Sequence, residues 1–506
     1  MRSKHNDTSP KARAPGIDPL EPRRLFAAIY GEIEPNQRAS DAIYVALDAS
    51  GAARLDGRTR RDGDKDYFAF AAAQSGTIEL RVETGGKASA LLVRIERPSG
   101  EAITTTRTTD SFAAVAGQTY YFAVIADRPI AATYSLLLQS DRPPDAVSQD
   151  RIDTLSRGVN VPHWFWDLRG IEPAANFRSY FTDTDAANLR SLGLTHIRIP
   201  IQPTFFFDFA NPTKLRKIHL DALHDAINIA LRNDLGVIVA PIGRLQNAGI
   251  DPSMLQKATT FYRLLSADLR GFDPERVFIQ LPGEPAGTPD QWQPAQEQLA
   301  AAVRSAAPEH TILATTPLKF GYGENDWGTV DALRQLRPVA DRNVVYGLHY
   351  YEPYFFTHQG ASWALAGYEY LHDVPYPSTP ESAELAAQQI AIETAGTGFE
   401  YLAEYVRYFG QARWDANIIT ARLQTAFDWA AQWNVPLVVD EFGVYAFAGA
   451  NVASRDAWIR DVRLAAEQAG AGWTMWDFAD DFGLLIGQPE GRWLRFSTAA
   501  ALGLLE

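Results

Sequence analysis

The stretch Pro436-Leu-Val-Val-Asp-Glu-Phe-Gly443 decides the fold of this chain, together with a second stretch of the same pattern, Val277-Phe-Ile-Gln-Leu-Pro-Gly-Glu-Pro285. Each is a short apolar run followed by a carboxylate, Glu441 in the first and Glu284 in the second. Short apolar runs are typical of strands that are buried on both faces of a sheet. Because such strands end at the mouth of an α/β fold, we expect the two carboxylates to face each other there and to perform acid/base and nucleophilic chemistry.

Further apolar runs of this kind alternate with amphipathic helical stretches over residues 151–506. The eight runs are 158–161, 195–200, 236–240, 277–281, 311–314, 344–348, 436–439 and 472–476. The helical patterns between them include 220–232, 291–306 and 455–469. Eight repeats of a strand and a helix predict a (β/α)8 TIM barrel of the α/β class, with residues 351–433 as an elaborated loop after the sixth strand.

The chain before the barrel has a different pattern, with a period of two residues. In Thr77-Ile-Glu-Leu-Arg-Val-Glu83, apolar and polar residues alternate, and turn signals such as Pro98-Ser-Gly100 lie between such runs. The pattern predicts an antiparallel β-sandwich domain over residues 25–142. A disordered tail (1–24) is expected before it and a linker (143–150) after it.

Four segments of this domain are Asp62-Gly-Asp-Lys-Asp-Tyr-Phe68, Pro98-Ser-Gly100, Ala116-Gly-Gln-Thr-Tyr-Tyr121 and Tyr134-Ser-Leu-Leu-Leu138. Together they resemble the bacterial pre-peptidase C-terminal domain. The spacing of Asp62, Asp64 and Asp66 also matches a calcium loop. However, Tyr67 stands where such a loop has glycine and no glutamate closes it, so a solvated turn is favoured and no metal site is predicted.

Composition excludes several classes of function. The 506-residue chain has a net charge of −14, which argues against nucleic acid as a partner because polyanion binding needs clustered Lys and Arg. The absence of cysteine excludes disulfides and thiolate chemistry. No apolar stretch approaches the roughly 20 residues that span a bilayer, so no membrane span is expected. Metal-dependent and serine hydrolases are not indicated, since His-x-His, His-Glu-x-x-His and Gly-x-Ser-x-Gly patterns are missing.

No standard signal peptide is visible, but one segment points to export. Leu20-Glu-Pro-Arg-Arg-Leu-Phe-Ala-Ala28 resembles a short motif near the start of many surface-associated bacterial proteins. We therefore expect a secreted or cell-surface protein, and we expect it to be a monomer.

The residues at the strand ends are the candidates for function, because the active site of a TIM barrel is built at the carboxyl ends of its strands. In chain order these residues are Asn160, His163, Trp164, Arg198, Glu284, His349, Tyr351, Glu441 and Trp476. A single one of them could be a helix cap or part of the packing at the barrel mouth. Candidates from six different strands favour an active site.

Seven segments along the barrel are Arg157-Gly-Val-Asn-Val-Pro-His-Trp164, Gly193-Leu-Thr-His-Ile-Arg-Ile-Pro200, Gly283-Glu-Pro285, His349-Tyr-Tyr351, Phe356-Thr-His-Gln-Gly-Ala-Ser-Trp363, Asp440-Glu-Phe-Gly443 and Trp473-Thr-Met-Trp476. In this order they resemble glycoside hydrolase family five, the cellulase-type enzymes of clan A. The resemblance implies a cofactor-free retaining hydrolase of β-linked polysaccharide, with endo-β-1,4-glucanase as the first expectation. Glu441 would be the nucleophile and Glu284 the general acid and base, with carboxyl groups about 5 to 5.5 Å apart.

The resemblance also implies how the two glutamates differ. Arg198 would keep Glu441 ionised, while burial or the neighbouring charge would keep Glu284 protonated. Trp476 would form the floor under the reacting sugar. The residues that orient the two glutamates would be His349 and Tyr351, and the remaining residues that bind or orient the substrate would be Asn160, His163 and Trp164.

Two positions depart from the family pattern. Gly283 stands where the family has an asparagine that donates to the 2-hydroxyl of the sugar, and Val239-Ala-Pro-Ile-Gly243 lacks the strand-three histidine. Losing such a donor can cost on the order of 10²-fold in rate. In one interpretation the site is active and Gly283 leaves room for a modified or differently oriented substituent at C2. In the other, the barrel is catalytically weakened or inactive and acts as a carbohydrate-binding surface protein.

Overall fold

The structure is a computed structural model that describes residues 28–505 apart from short gaps. The gaps are residues 35, 48–50, 60–63, 73–74, 85–90, 116–117, 127–131, 142–146, 169–172, 319–327, 448–449, 480 and 488–490. The predicted tail (1–24) lies outside the described residues, as do Asp62 and half of the predicted linker.

Two five-stranded sheets form the N-terminal part of the molecule. The first sheet has the order β1-β3-β10-β5-β8, with β1 (Ala28–Gly31), β3 (Ala52–Thr59), β5 (Gly76–Thr84), β8 (Thr109–Ala114) and β10 (Ala132–Ser140). The second has the order β2-β4-β9-β6-β7, with β2 (Ile43–Val45), β4 (Lys65–Ala71), β6 (Leu91–Glu96), β7 (Ala102–Thr106) and β9 (Thr119–Ala126). Neighbouring strands are antiparallel except β1 with β3 and β2 with β4, which are parallel. Both exceptions involve the N-terminal segment, which forms β1 at the edge of the first sheet and then β2 at the edge of the second.

The period-two pattern of the sequence matches the burial of these strands. Along β5, Ile78 and Leu80 are buried while Thr77 and Glu79 are exposed. The buried residues of both sheets meet in one apolar core, in which Phe122 is among the largest side chains. Alternate residues of a strand point to opposite faces, so each sheet presents one apolar face to this core.

Eight parallel strands close into a barrel, as the sequence predicts. The strands are β11 (Arg157–Asn160), β12 (His196–Ile201), β13 (Gly236–Pro241), β14 (Val277–Gln280), β15 (Ile312–Ala314), β16 (Val344–Tyr350), β17 (Leu437–Phe442) and β18 (Gly472–Met475). Val159 pairs with Met475, which closes β18 on β11. A further pair, β19 (Leu485–Ile486) and β20 (Trp493–Leu494), follows the last barrel strand.

The helices surround the barrel. They are α1 (Gln149–Thr154), α2 (Pro162–Phe165), α3 (Pro173–Ser179), α4 (Asp183–Ser191), α5 (Pro203–Phe206), α6 (Lys217–Arg232), α7 (Pro252–Leu269), α8 (Pro289–Ala306), α9 (Thr329–Leu333), α10 (Tyr354–Thr357), α11 (Pro380–Glu393), α12 (Tyr401–Ala412), α13 (Ala416–Trp433), α14 (Val452–Gln468) and α15 (Phe496–Ala501). Four of them, α10 to α13, lie between β16 and β17, in the segment predicted to be elaborated.

Helix α1 lies against the amino ends of the strands. Arg151 on this helix bonds to Glu275 and Thr311, which precede β14 and β15. Leu155 packs into the interior cluster of the barrel with Phe278 and other strand residues. This end of the barrel is therefore packed, and the carboxyl ends of the strands are left for the site.

The sandwich packs on the flank of the barrel. Strands β2 and β4 contact α8, and Tyr44 on β2 belongs to the apolar cluster that surrounds the barrel. Arg263 on α7 donates from Nη1 to the Tyr44 hydroxyl at 2.7 Å. Among the described residues, no helix combines the length and the apolar character needed to cross a membrane.

Candidate active site

The two glutamates predicted to be catalytic lie at the carboxyl ends of their strands, with one histidine between them. Glu441 is on β17 and is 4% exposed, whereas Glu284 follows β14 and its side chain is 24% exposed. One polar atom from each of Glu284, His349 and Glu441 lies within 4.8 Å of the other two. This spacing fits the carboxyl pair of a retaining glycosidase, about 5 to 5.5 Å, and is shorter than an inverting pair requires.

His349 on β16 bridges the two glutamates. Its Nδ1 is 3.2 Å from Glu284 Oε1, and its Nε2 is 3.3 Å from Glu441 Oε1. Burial lowers the pKa of His349, but Glu441, Asp440 and Glu284 raise it, with the net result at about 10. The ring therefore carries a proton on each nitrogen and donates to both glutamates. The three residues also have the spacing of metal ligands.

Arg198 on β12 is the second cation that contacts Glu441, the predicted nucleophile. It is fully buried, and its Nη1 donates to Glu441 Oε1 and to Asn160 Oδ1, both at 2.6 Å. Its Nε donates to Gln280 Oε1 at 2.7 Å. Asn160 also donates to backbone carbonyls at the ends of β17 and β18. Asn160 thus acts on the site through Arg198 and locks the guanidinium in place.

Glu441 is more deeply buried than Glu284. Burial raises the pKa of Glu441 to about 7, against the lowering by the positive charges of His349 and Arg198. The more desolvated carboxyl is that of Glu441, the predicted nucleophile. Glu441 lies within a strand, whereas Glu284 lies beyond the end of one. The Glu441 carboxyl and the His349 imidazole therefore titrate as coupled charges.

Asp440 belongs to the same network and is missing from the predicted set. Its carboxylate is fully buried, accepts a hydrogen bond from Gln280 Nε2 at 2.7 Å and lies 3.6 Å from His349 Nε2. Burial raises the pKa of Asp440, but His349, Arg198 and Gln280 lower it by more. The carboxylate is therefore charged and supports the charge of His349.

The sequence contains a signal for Asp440. A carboxylate inside the apolar strand Leu437–Phe442 has to be paired, because a buried lone charge is strongly unfavourable. Gly347 on the neighbouring strand supplies the space, since a Cβ there would lie 2.9 Å from both carboxylate oxygens of Asp440. An acidic residue within one apolar strand and a glycine within the neighbouring strand form a pattern from which the contact between Asp440 and Gly347 could have been predicted.

Tyr351 and Trp476 lie beside the glutamate pair. The Tyr351 hydroxyl is 3.4 Å from Glu441 Oε2, so it is close to the oxygen that Arg198 does not hold. Trp476 is partly exposed and packs against the cluster of Tyr351 and Phe482. Its ring also meets the ring of Trp166, with centroids 5.8 Å apart. An orienting hydroxyl for Tyr351 and an aromatic floor for Trp476 remain predictions.

His163 and Trp164 do not join the carboxylates. The His163 ring lies 3.7 Å from Asp477, the neighbour of Trp476, and contacts Asp167 on its other side. Trp164 is fully buried, and its ring packs on Phe181. The predicted contact of Trp164 with substrate is wrong. This tryptophan is part of the apolar core, because α2 turns it inward behind the strand end.

Ile242 and Arg198 pack closely beside Gly283. A Cβ on Gly283 would lie 3.0 Å from Ile242 Cγ1 and 3.3 Å from Arg198 Nη2. Ile242 follows β13, in the segment where the family histidine is missing. The two departures therefore adjoin each other, since the side chain of Ile242 lies against the position of Gly283. On the side of its missing Cβ, Gly283 is closely packed by Ile242 and Arg198.

Aromatic side chains extend from the pair toward the loop after β16. Trp363 is 57% exposed, and its ring lies 5.8 Å from Tyr445 and 6.3 Å from Phe482. Phe482 in turn packs with Tyr351. Tyr445 and Phe482 were not predicted, since they lie in irregular segments beyond β17 and β18 whose positions no periodic pattern indicates.

We expect Asp440→Asn to shift the alkaline limb of the pH–activity profile to lower pH. The Asp440 charge raises the pKa of His349, so its removal lowers the pH at which the bridging proton is lost. We expect kcat to fall about tenfold. Asp341→Asn is the matched control, since Asp341 is a buried carboxylate that pairs with Arg304. It should reduce the melting temperature and leave the pH profile in place; an unchanged profile in Asp440→Asn would contradict the role of Asp440.

Comparisons with known proteins agree with this geometry. The family model described as cellulase (glycosyl hydrolase family 5) matches residues 158–481. Endoglucanase 3 of Fibrobacter succinogenes is 25% identical over 352 residues, which are 65% of this chain and 50% of that protein. The chain therefore spans about half the length of this relative. Endoglucanase C of Acetivibrio thermocellus is 23% identical over 332 residues, or 63% of this chain and 90% of that protein.

Solved structures show the same fold. A hyperthermophilic endo-β-1,4-glucanase in complex with substrate matches with a TM-score of 0.54 at 22% identity, covering 70% of this chain and 98% of the other. Cel5A of Thermotoga maritima in complex with mannotriose matches with a TM-score of 0.55 at 20% identity, covering 70% and 99%. Since the family model matches more than half of the sequence, the chain belongs to glycosyl hydrolase family 5, the cellulase family.

Proposed function

We propose that the chain is a retaining glycoside hydrolase that cleaves β-linked polysaccharide, with β-1,4-glucan as its first substrate. The observation that carries the proposal is the close spacing of Glu284 and Glu441, bridged by His349 and supported by Arg198. Such a pair can form and hydrolyse a covalent glycosyl-enzyme.

In the first step, Glu441 attacks the anomeric carbon. Its Oε1 is held by Arg198 and His349, so Oε2, next to the Tyr351 hydroxyl, is the oxygen that forms the new bond to C1. As the bond from C1 to the glycosidic oxygen breaks, Glu284 gives its proton to that oxygen, and the aglycone leaves as an alcohol. The positive charges of Arg198 and His349 lower the pKa of the nucleophile, against the burial that raises it to about 7.

In the second step, Glu284 acts as the base. Its carboxylate takes a proton from a water molecule, the water oxygen bonds to C1, and the ester bond to Glu441 breaks. His349 Nδ1, 3.2 Å from Glu284 Oε1, stabilises the carboxylate that exists between the two steps. Two displacements at C1 return the sugar with its original anomeric configuration.

The substrate class rests on the aromatic surface and on the relatives. Trp476, Trp363 and Tyr445 supply faces on which sugar rings stack, and the named relatives are endoglucanases. An enzyme for a polysaccharide works where the polymer is, so secretion or display at the cell surface remains our prediction for its location.

The test is hydrolysis of a soluble β-1,4-glucan by the whole chain. Endo action should lower the viscosity early, before many reducing ends appear, and proton NMR of the first products should show the β anomer before mutarotation. First products with the α anomer would contradict the retaining mechanism. No hydrolysis of any β-glucan, β-mannan or aryl β-glycoside, with binding retained, would favour the carbohydrate-binding alternative.

We expect the double variant Ile242→Ala with Gly283→Asn to hydrolyse β-glucan faster than the wild type, on the order of tenfold. The smaller residue at 242 frees the volume that a side chain at 283 needs, and the new amide can donate to the 2-hydroxyl. Gly283→Asn alone is the matched control and should be slower, because its Cβ would lie 3.0 Å from Ile242 Cγ1. Kinetics on 2-deoxy and 2-hydroxy aryl glycosides check the cause: only the double variant should prefer the 2-hydroxy substrate more strongly than the wild type does.

A further inference from the structure

We propose that the outer surface of helix α12 binds the β-glucan chain outside the catalytic cleft, an inference that rests on the function proposed above. The surface is a row of five aromatic side chains, which we call the aromatic ridge: Tyr370, Phe399, Tyr401, Tyr405 and Tyr408. The last three lie on α12, and the first two lie in the chain that precedes it. A polymer held on the ridge would lie beside the site that cleaves it.

Helix α12 carries two separate apolar stripes. The first is buried in the apolar cluster around the barrel, and its residues are Leu402, Val406 and Phe409. The second consists of the three tyrosines, which recur four and three residues apart and therefore share one face of the helix. Tyr401 is 45% exposed and Tyr408 is 52% exposed. Packing a helix on a core needs one apolar stripe, so the exposed stripe indicates an interaction surface.

The rings of the ridge contact one another. The centroid of the Tyr401 ring lies 5.4 Å from that of Tyr405 and 6.4 Å from that of Phe399. Phe399 in turn lies 6.0 Å from Tyr370. Gly367 makes room for Phe399, since a Cβ at this glycine would lie 2.6 Å from the phenyl ring. The rings are thus held by their neighbours before a ligand arrives, which lowers the entropic cost of binding.

A chain of ring contacts joins the ridge to the active site. The Tyr351 ring lies 5.2 Å from His358, and His358 lies 5.6 Å from the exposed Trp363. On its other side His358 packs on Tyr354 at 3.9 Å, and Tyr354 lies 5.8 Å from Tyr368. Burial raises the pKa of Tyr368, and two hydroxyls of the ridge raise it further, which places the ridge beside Tyr368. The ridge therefore continues the aromatic surface of the cleft.

The spacing and the residue type fit an extended chain of β-linked sugars. Tyr401 and Tyr408 are seven residues apart, which corresponds to about 10 Å at the usual rise per residue of a helix. Two sugars of an extended β-1,4-glucan span a similar length, so alternate sugars can stack on the two rings. A tyrosine ring packs on the apolar face of a sugar while its hydroxyl stays in contact with water.

The charges beside the ridge favour an uncharged polymer. Glu400 and Glu404 are exposed at the start of α12. Within α12, all of which the structure describes, Arg407 is the only cation, and it pairs with Glu384 and Glu404. Nucleic acid or an anionic membrane surface would be repelled by these carboxylates, whereas a neutral glucan would not.

The test measures polymer binding by the whole chain carrying Glu441→Gln, in which binding is separated from hydrolysis. Retardation in gels that contain hydroxyethyl cellulose reports the affinity. We expect the further changes Tyr401→Ser and Tyr408→Ser together to weaken binding about fivefold or more, because two stacking faces are lost. Tyr401→Trp with Tyr408→Trp keeps the faces and should retain binding. Both positions are exposed, and thermal unfolding would show that the variants are folded.

The matched control is Leu385→Ser with Ile392→Ser. These residues are 74% and 71% exposed on the neighbouring helix α11 and lie outside the ridge. This variant should bind the polymer as its parent does. With Glu441 restored, the ratio of kcat/KM on the polymer to kcat/KM on an aryl cellobioside should fall in the double serine variant of the ridge and stay constant in the control.

Polymer binding that is unchanged by Tyr401→Ser with Tyr408→Ser would overturn the proposal. Analytical ultracentrifugation tests the rival occupant, a second copy of this chain. Self-association that the same two changes abolish, with polymer binding unchanged, would assign the ridge to contact between copies and would also overturn the proposal. If the wild type hydrolyses neither substrate, the proposed function fails, whereas the gel measurement still decides whether the ridge binds glucan.

Discussion

Glu441→Gln should abolish hydrolysis, with a loss in kcat on the order of 10⁴-fold or more. The amide keeps the size of the side chain but cannot form a bond to C1. It also removes the charge that Arg198 Nη1 contacts at 2.6 Å and that His349 contacts at 3.3 Å. Both steps of the mechanism depend on this carboxylate, so the loss should be the same for polysaccharide and for aryl glycosides.

The control for this variant is Asp428→Asn, which removes an exposed carboxylate from α13 and should leave kcat unchanged. Circular dichroism and thermal unfolding would show that Glu441→Gln is folded. Sugar binding, measured by calorimetry, should persist in the variant, because Trp476 and the other aromatic faces are intact. Hydrolysis within about tenfold of the wild type would exclude Glu441 as the nucleophile.

Glu284→Gln should instead separate substrates by their leaving groups. A sugar hydroxyl leaves only with a proton, so polysaccharide hydrolysis should fall about 10³-fold, within the usual range for a general acid. A dinitrophenyl β-cellobioside needs no proton for departure. We therefore expect its first step to remain fast and to release a burst of dinitrophenolate equal to the enzyme concentration.

After that burst the same variant should turn over slowly, because Glu284 is also the base of the second step. Added azide needs no base and should speed turnover of the glycosyl-enzyme, and the product should be the β-glycosyl azide. Equal losses on both substrates, with no burst and no effect of azide, would contradict the assignment of Glu284. Glu309→Gln serves as the control, as this exposed glutamate lies on the opposite end of the barrel, before β15.

The fold was predictable because its signals are local. The eight apolar runs coincide with β11 to β18 to within a few residues, since a strand buried on both faces leaves an unbroken apolar stretch in the sequence. The period-two pattern of residues 77–83 likewise lies within β5. The parallel pairing of β1 with β3 and of β2 with β4 had no such signal, because the direction in which an edge strand joins a sheet depends on partners distant in sequence.

The part of the site that could be predicted consists of the residues at the carboxyl ends of the barrel strands. Arg198, Glu284, His349 and Glu441 meet because the carboxyl ends of parallel strands meet. What the sequence does not indicate is the direction of a side chain in a short connection: Trp164 turns inward, and Ile242 fills the space beside Gly283. Nor does it indicate that the Gln280 amide pairs with Arg198 and Asp440 inside the barrel, which is why Gln280 was missed.

The backbone at Glu284 has φ of +52°, in the left-handed region that glycine adopts without cost and that other residues adopt at a cost of about 1 kcal/mol. A protein under selection for stability alone would place glycine or asparagine there. Such a conformation at Glu284 is expected where the carboxyl group performs chemistry. This favours an active hydrolase over a barrel that has lost catalysis and only binds carbohydrate.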